Sequence, residues 1–172
     1  MDKTVSLIAC QSYAQDQIDR AVKTLLSHYG GAIALAGGKR VLIKPNLLMA
    51  RDPKEVTTTH PGIVKALARE FISAGCHVTI ADSCGGTYTH SVLRRLYRTT
   101  GMEQVAEETG AVLNYDLSSK EMEYCNGKRI GRIPIISPVH DAEFVISVAK
   151  MKTHGLTYYL SLIHISCPEV LI

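Results

Sequence analysis

The chain has 172 residues, of which 46% are hydrophobic and 20% charged, and its net charge is +3. This composition excludes a disordered chain and suits one domain with a buried core. Lys and Arg are scattered, and the two Phe and eight Tyr do not interleave with basic runs, so no nucleic-acid partner is indicated.

Five cysteines, Cys10, Cys76, Cys84, Cys125 and Cys167, are widely spaced and contain no CxxC pair. That excludes a zinc ribbon and a complete iron–sulfur ligand run, and it reads as reduced thiols in a cytoplasmic protein. Residues 4–10 are followed at once by polar Gln11 and Ser12, so the apolar core of a signal peptide is missing. No run approaches the roughly 20 apolar residues of a membrane helix, so no membrane contact is expected.

Residues 4–9 are β-branched and apolar, which predicts a first strand. Ile18, Ala21, Val22, Leu25 and Tyr29 then recur at helical spacing until Gly30 and Gly31 stop the helix. Residues 32–38 read as a turn with a partial helix. Val41, Leu42 and Ile43 form a short core strand that ends near Lys44, because Pro45 has no N–H for a sheet ladder. Residues 47–59 read as a polar loop.

Pro61 opens a helix with Ile63, Val64, Leu67, Phe71 and Ala74 on one face, closed by Gly75. Residues 77–81 are the next strand, followed by the Gly- and hydroxyl-rich stretch 82–89. Helices are expected over 90–99 and 102–109, then a strand over 111–115. Asn126-Gly127 within 124–136 signals a hairpin. Residues 144–149 form a fully apolar strand. The sum is an α/β fold: a mostly parallel sheet with helices on both faces and one inserted β-hairpin.

Three strand ends carry polar residues, and in open α/β sheets ligands sit outside those ends. After the last apolar strand, Lys150, Lys152 and His154 occupy alternating positions and share one face if the strand continues. Lys44 can hold a phosphate or carboxylate as a point charge, and Asn46 can add an amide donor. Ser83, Gly85 and Gly86 lie in a loop before a helix, where successive backbone N–H groups can cradle an anion. The loop lacks both the GxGxxG and GxxxxGK[ST] spacings, which disfavours a standard dinucleotide or P-loop site.

Asp82 can orient a lysine, act as a base or bind metal, and it equally fits a cap of the following structure. His60, Asp82 and His154 are the candidate metal ligands, although His60 more often serves as a cap. Cys84 lies where a thiolate is favoured, but a lone cysteine without a base reads as inert. Lys152, His154 and Asp82 are the candidate catalytic groups. Lys44, Asn46, Ser83, Gly85, Gly86 and Lys150 are the candidate ligand-binding groups.

Taken together, VLIKPNLL (41–48), TTHP (58–61), IADSCGG (80–86) and AKMKTHGLT (149–157) resemble the bacterial and archaeal domain-of-unknown-function 362 family. The resemblance implies an α/β domain at 1–157. It also implies a [4Fe–4S] cluster in the full-length family, borne on a ferredoxin-like segment, and a redox partner. Residues 158–172 depart from the family pattern and are expected to be an artefactual or disordered tail. Within them residues 160–172, which open with LSLIHIS, resemble a translated sequencing adapter, as at the end of a truncated reading frame.

Three functions compete. The first is an iron–sulfur-associated redox protein whose α/β domain binds an anionic small molecule at the strand ends. The second is a non-redox enzyme acting on a phosphate- or carboxylate-bearing metabolite. The third is a binding module without catalysis.

Overall fold

The structure is a computed structural model that describes residues 5–123, 131–150, 152–154, 158–160 and 170–171. Its centre is a parallel sheet. β1 (Arg40–Pro45) pairs with β2 (His77–Ile80) on one side, and β2 pairs with β3 (Val112–Leu113). On its other side β1 pairs with β6 (Phe144–Val148), which in turn meets β9 (Val170–Leu171). The order is therefore β3-β2-β1-β6-β9. β4 (Ser119–Glu123) and β5 (Arg132–Ile136) form the separate antiparallel hairpin. β7 (Lys152–His154) and β8 (Tyr158–Leu160) form a second antiparallel pair.

Five helices precede the hairpin: α1 (Gln15–Ser27), α2 (Gly31–Ala36), α3 (Pro61–Ser73), α4 (His90–Thr99) and α5 (Met102–Thr109). α6 (Ser137–Asp141) joins the hairpin to β6. The expected helix boundaries at 90–99 and 102–109 are met because glycines with positive φ, Gly101 and Gly110, flank α5. α3 begins at Pro61, whose missing N–H costs nothing in a first turn, and His60 Nδ1 caps it by accepting from Gly62 N at 3.1 Å.

Strand alternation divides the core. Val41, Ile43, Ile80 and Ile146 join one cluster with Phe71 and Leu96. Leu42 alternates to the opposite face and is also only 1% exposed, so both faces of β1 are covered, as a parallel strand requires.

The structure departs from the sequence expectation in three places. Residues 5–9 carry the composition of a strand, yet they form none, and Val5 and Leu7 are exposed. β-Propensity reflects packing against a neighbour, and among the described residues no strand pairs with this segment. The strand expected over 111–115 is cut to two residues. Asn114 Oδ1 accepts from Asp116 N, and Asp116 Oδ1 accepts from Ser118 N, which turns the chain away. The hairpin strands begin earlier than expected, at Ser119, and the Asn126-Gly127 turn lies outside the described residues.

Phe71 is fully buried and its ring lies 6.0 Å from that of Phe144, joining α3 to β6. Phe71→Ala is expected to lower stability by about 3–5 kcal/mol through the cavity it leaves. A shift in the urea unfolding midpoint at unchanged slope measures this.

Candidate functional site

Because β1, β2 and β6 are parallel, their carboxyl ends share one edge of the sheet. Lys44 is paired in register with Ser147 near the end of β1. Asp82 lies two residues past β2, and Lys150 and Lys152 follow β6. Asp82 is 3% exposed. Its Oδ1 accepts from Lys44 Nζ at 2.6 Å and its Oδ2 from Leu47 N at 2.8 Å. A buried carboxylate needs such partners. Both oxygens are engaged, so Asp82 orients Lys44 and the turn after β1.

Lys152 Nζ donates to Asn46 Oδ1 at 2.7 Å and to the Thr57 carbonyl at 2.9 Å. These acceptors are neutral. Burial, and then the positive charge of Lys150, hold the Lys152 ammonium below its usual pKa, while Asp82 pulls in the opposite direction. Thr59 fixes this arrangement. Its hydroxyl accepts from Asn46 N at 2.9 Å and donates to the Val148 carbonyl at 2.7 Å, tying the end of β1 to the end of β6. Thr59 N also donates to the Asn46 carbonyl at 2.9 Å. The hydroxyls of Thr57 and Thr58 are buried and have no hydrogen-bond partner among the described residues.

The loop that leads to these threonines has left-handed backbone at Leu48, φ 48°, and at Val56, φ 58°, just before Thr57. Left-handed backbone at a β-branched residue is strained and clusters at functional sites.

Lys150 takes a different direction. Its Nζ donates to the Tyr13 hydroxyl at 3.3 Å and lies 5.8 Å from that ring's centroid. Tyr13 stacks on His60, with ring centroids 4.0 Å apart and an interplanar angle of 17°. Burial, followed by the charge of Lys150, lowers the His60 pKa from its ordinary 6.5. Neither Lys150 nor Lys152 has a carboxylate within ion-pair distance among the described residues, whereas Lys44 has Asp82.

The glycine loop is less committed to a ligand. Gly85 N donates to the Leu48 carbonyl at 2.8 Å, so one amide of the expected cradle serves the fold. Gly86 has φ +93° and open space where a side chain would begin. Ser83 is exposed. Cys84 is buried, and desolvation, with Asp82 nearby, raises its pKa, which suits an inert thiol. The helix after the loop is capped by Thr89, whose hydroxyl accepts from Val92 N.

Among the candidate metal ligands, His60 uses Nδ1 as a cap and each oxygen of Asp82 already accepts one hydrogen bond. His154 pairs through its backbone with Tyr158, and its side chain lies outside the described residues. Among the described residues no group of three His, Cys, Asp or Glu is placed to hold a metal. A [4Fe–4S] cluster takes four cysteine thiolates. Cys10 is exposed, while Cys76 is buried and donates to the Ala36 carbonyl, and neither is grouped with Cys84, so the described cysteines do not fit a cluster. Cys125 and Cys167 lie outside the described residues.

The structure thus brings Lys44, Asn46, Asp82 and Lys152 into one hydrogen-bonded region and places Lys150 with His60 beside it. Thr59 and Tyr13 escape a sequence reading. The available signals are the run Thr57-Thr58-Thr59 between a strand and a helix, and a single aromatic within a polar stretch.

Two outcomes follow from this geometry. Thr59→Val removes a hydroxyl that serves Asn46 N and the Val148 carbonyl, and is expected to cost about 1–3 kcal/mol in urea unfolding. Thr59→Ser, which keeps the hydroxyl, is expected to retain most of that stability. The second concerns pH. Above pH 6.5 His60 is neutral in folded and unfolded chains alike. As pH falls below 6.5 the unfolded chain takes up a proton that the folded site resists, so stability is lost. His60→Asn keeps a cap but cannot titrate. Unfolding curves at about pH 7.5 and 5.5 are expected to show a smaller acid-side loss for this variant than for the parent.

Comparison with known proteins places the chain. It is 29% identical over 163 residues to the thylakoid-associated protein sll1697 of Synechocystis sp., a match covering 90% of this chain and 47% of that protein. The chain therefore spans about half the length of this curated relative. No solved structure matches significantly. Among the described residues no helix is long and apolar enough to cross a membrane. Residues 41–161 match the family described as a domain of unknown function, DUF362, and the chain belongs to that family.

Proposed function

We propose that this domain binds an anionic small molecule, phosphate- or carboxylate-bearing, outside the carboxyl ends of β1 and β6. The observation that carries the reading is topological. From β1 the chain steps to β2 and β3 on one side, and β6 returns to the other side of β1. The switch point lies between β1 and β6, which is where open α/β sheets receive ligands. Lys44 and Asn46 leave one of these strands, and Lys150 and Lys152 follow the other.

Charge supports the same reading. Lys44 and Lys152 share the influence of one carboxylate, Asp82, which already pairs with Lys44, and Lys150 adds a further positive charge near Lys152. An anion would compensate Lys150 and Lys152, and the buried hydroxyls of Thr57 and Thr58 would gain a polar neighbour. A second reading, a non-redox enzyme with Lys152 as acid–base group, draws on the lowered pKa of that lysine, which moves it toward the range where proton transfer is useful.

For the whole protein we propose an iron–sulfur-associated redox role, with this domain as its anion-binding part and a redox protein as partner. This draws on the family resemblance and uses no cysteine of the described set. Anaerobic purification of the whole protein with iron and sulfide analysis tests it, and a colourless, iron-free product after reconstitution counts against it. We place the protein in the cytoplasm. The thylakoid association reported in the relative's name is the alternative, and cell fractionation separates the two.

The anion site is tested by thermal unfolding of the full chain in inorganic phosphate. At a hundredfold excess over the dissociation constant, binding stabilises by about 2.7 kcal/mol. Lys152→Met is expected to lose this gain, while Lys23→Met, at an exposed position on α1, keeps it. Lys152 discriminates better than Lys44, whose removal would also strand the buried Asp82. If Lys152→Met binds phosphate and acetate as tightly as the parent does, the reading fails.

A further inference from the structure

We infer that the anion received at these strand ends is an amphiphile: a phosphate or carboxylate group on a single apolar chain, with that chain lying in the cavity between α1, α3 and β6. This rests on the anion reading above and adds what stands behind the acidic group.

The cavity has a volume of about 530 Å3, within the range of roughly 300–1,000 Å3 typical of small-molecule sites. Val22 and Leu25 of α1, Ile63 and Leu67 of α3, and Phe144 and Ile146 of β6 line it. Protein interiors hold few voids larger than a water molecule, because the atoms around a void forfeit dispersion contacts. This cavity opens to solvent, so an apolar molecule that fills it gains by removing its walls from water.

The charge beside the cavity indicates with what. Tyr13, Val148 and Ala149 are among its lining residues, and Lys150 is the next residue along the chain. Its ammonium meets the Tyr13 hydroxyl at 3.3 Å, so a positive charge stands where the apolar wall stops. Tyr13 is half exposed, so the rim is open. Lys150 has no carboxylate partner among the described residues, and its charge depresses the pKa of both His60 and Lys152. A small anion would relieve that repulsion and leave the cavity unfilled. A neutral apolar molecule would fill the cavity and leave Lys150 uncompensated. An acid with an apolar tail satisfies both.

The test titrates the full chain calorimetrically with dodecyl phosphate, kept below its micelle concentration, and with ethyl phosphate. Each buried methylene contributes about fourfold in affinity, so burying about four of the extra ones gives more than about a hundredfold. Dodecyl phosphate is expected to bind at least about a hundredfold more tightly. Ala21→Phe places bulk in the cavity and is expected to abolish this advantage while leaving ethyl phosphate unchanged. Ala21→Leu, a milder filling, serves if the first variant does not fold.

Equal affinity for the two esters overturns the inference and leaves the anion reading intact. Tighter dodecyl phosphate binding that neither Ala21 variant reduces places the tail elsewhere and also overturns it. Binding of neither ester overturns both readings.

Discussion

The ion pair between Asp82 and Lys44 holds the carboxyl edge of the sheet together. Asp82 is almost fully buried, and an isolated carboxylate there would carry a desolvation cost that no packing nearby offsets. It is tolerable because Lys44 supplies a charge at 2.6 Å and Leu47 supplies a backbone N–H at 2.8 Å. Those two partners sit on either side of Pro45 and Asn46, so one side chain fixes both the last residues of β1 and the turn that follows. The direction in which Asn46 points toward Lys152 is a consequence of that turn. The geometry of this edge is thus settled by a charge buried beneath it.

Thr59 performs the corresponding task between β1 and β6. These strands are neighbours in the sheet but lie about a hundred residues apart along the chain, and their ends would otherwise diverge into separate loops. A single hydroxyl, donating to one strand end and accepting from the other, closes the gap. Its effect is to keep Lys152 facing Asn46 and the Thr57 carbonyl. Left-handed backbone at Leu48 and Val56 is the conformational cost of bringing the three threonines back to the sheet edge.

Much of this was legible in the residues themselves. The helices over 90–99 and 102–109 and the strands around Val41–Ile43 and Phe144–Val148 follow from periodicity and from glycine and proline punctuation, which are local signals. That Lys44 lies near the end of a strand, and Asp82 and Lys152 shortly after one, was also legible, because apolar runs stop abruptly before them. Strand order was not, and with it the position of the switch point, since nothing local says that the strand at 144–148 pairs with β1 rather than with β3. Residues 5–9 show the converse: strong strand composition has no effect where no neighbour accepts the hydrogen bonds. Asp82 reads equally well as a cap, a base or a ligand, and only the distances to Lys44 and Leu47 separate these roles. Tyr13 carries no sequence signal for its place between His60 and Lys150, because that contact joins segments about fifty and about a hundred and forty residues apart.

The electrostatics of the lysines also bear on what kind of chemistry this edge can support. Two effects hold Lys152 below its ordinary pKa, burial first and then the smaller repulsion of Lys150, against Asp82, which raises it more than Lys150 lowers it. An anion arriving between them reverses the second effect and part of the first, because it supplies the countercharge that desolvation made valuable. Ligand binding and protonation of Lys152 are therefore coupled in one direction: a bound anion makes the lysine a weaker acid, and an uncharged lysine makes a weaker site. A group with that coupling is suited first to holding a negative charge. It becomes a proton donor only if the ligand loses charge, or moves away, in the course of a reaction. In the proposed reading binding is thus the more basic property of the site, and any catalysis would have to be built on it.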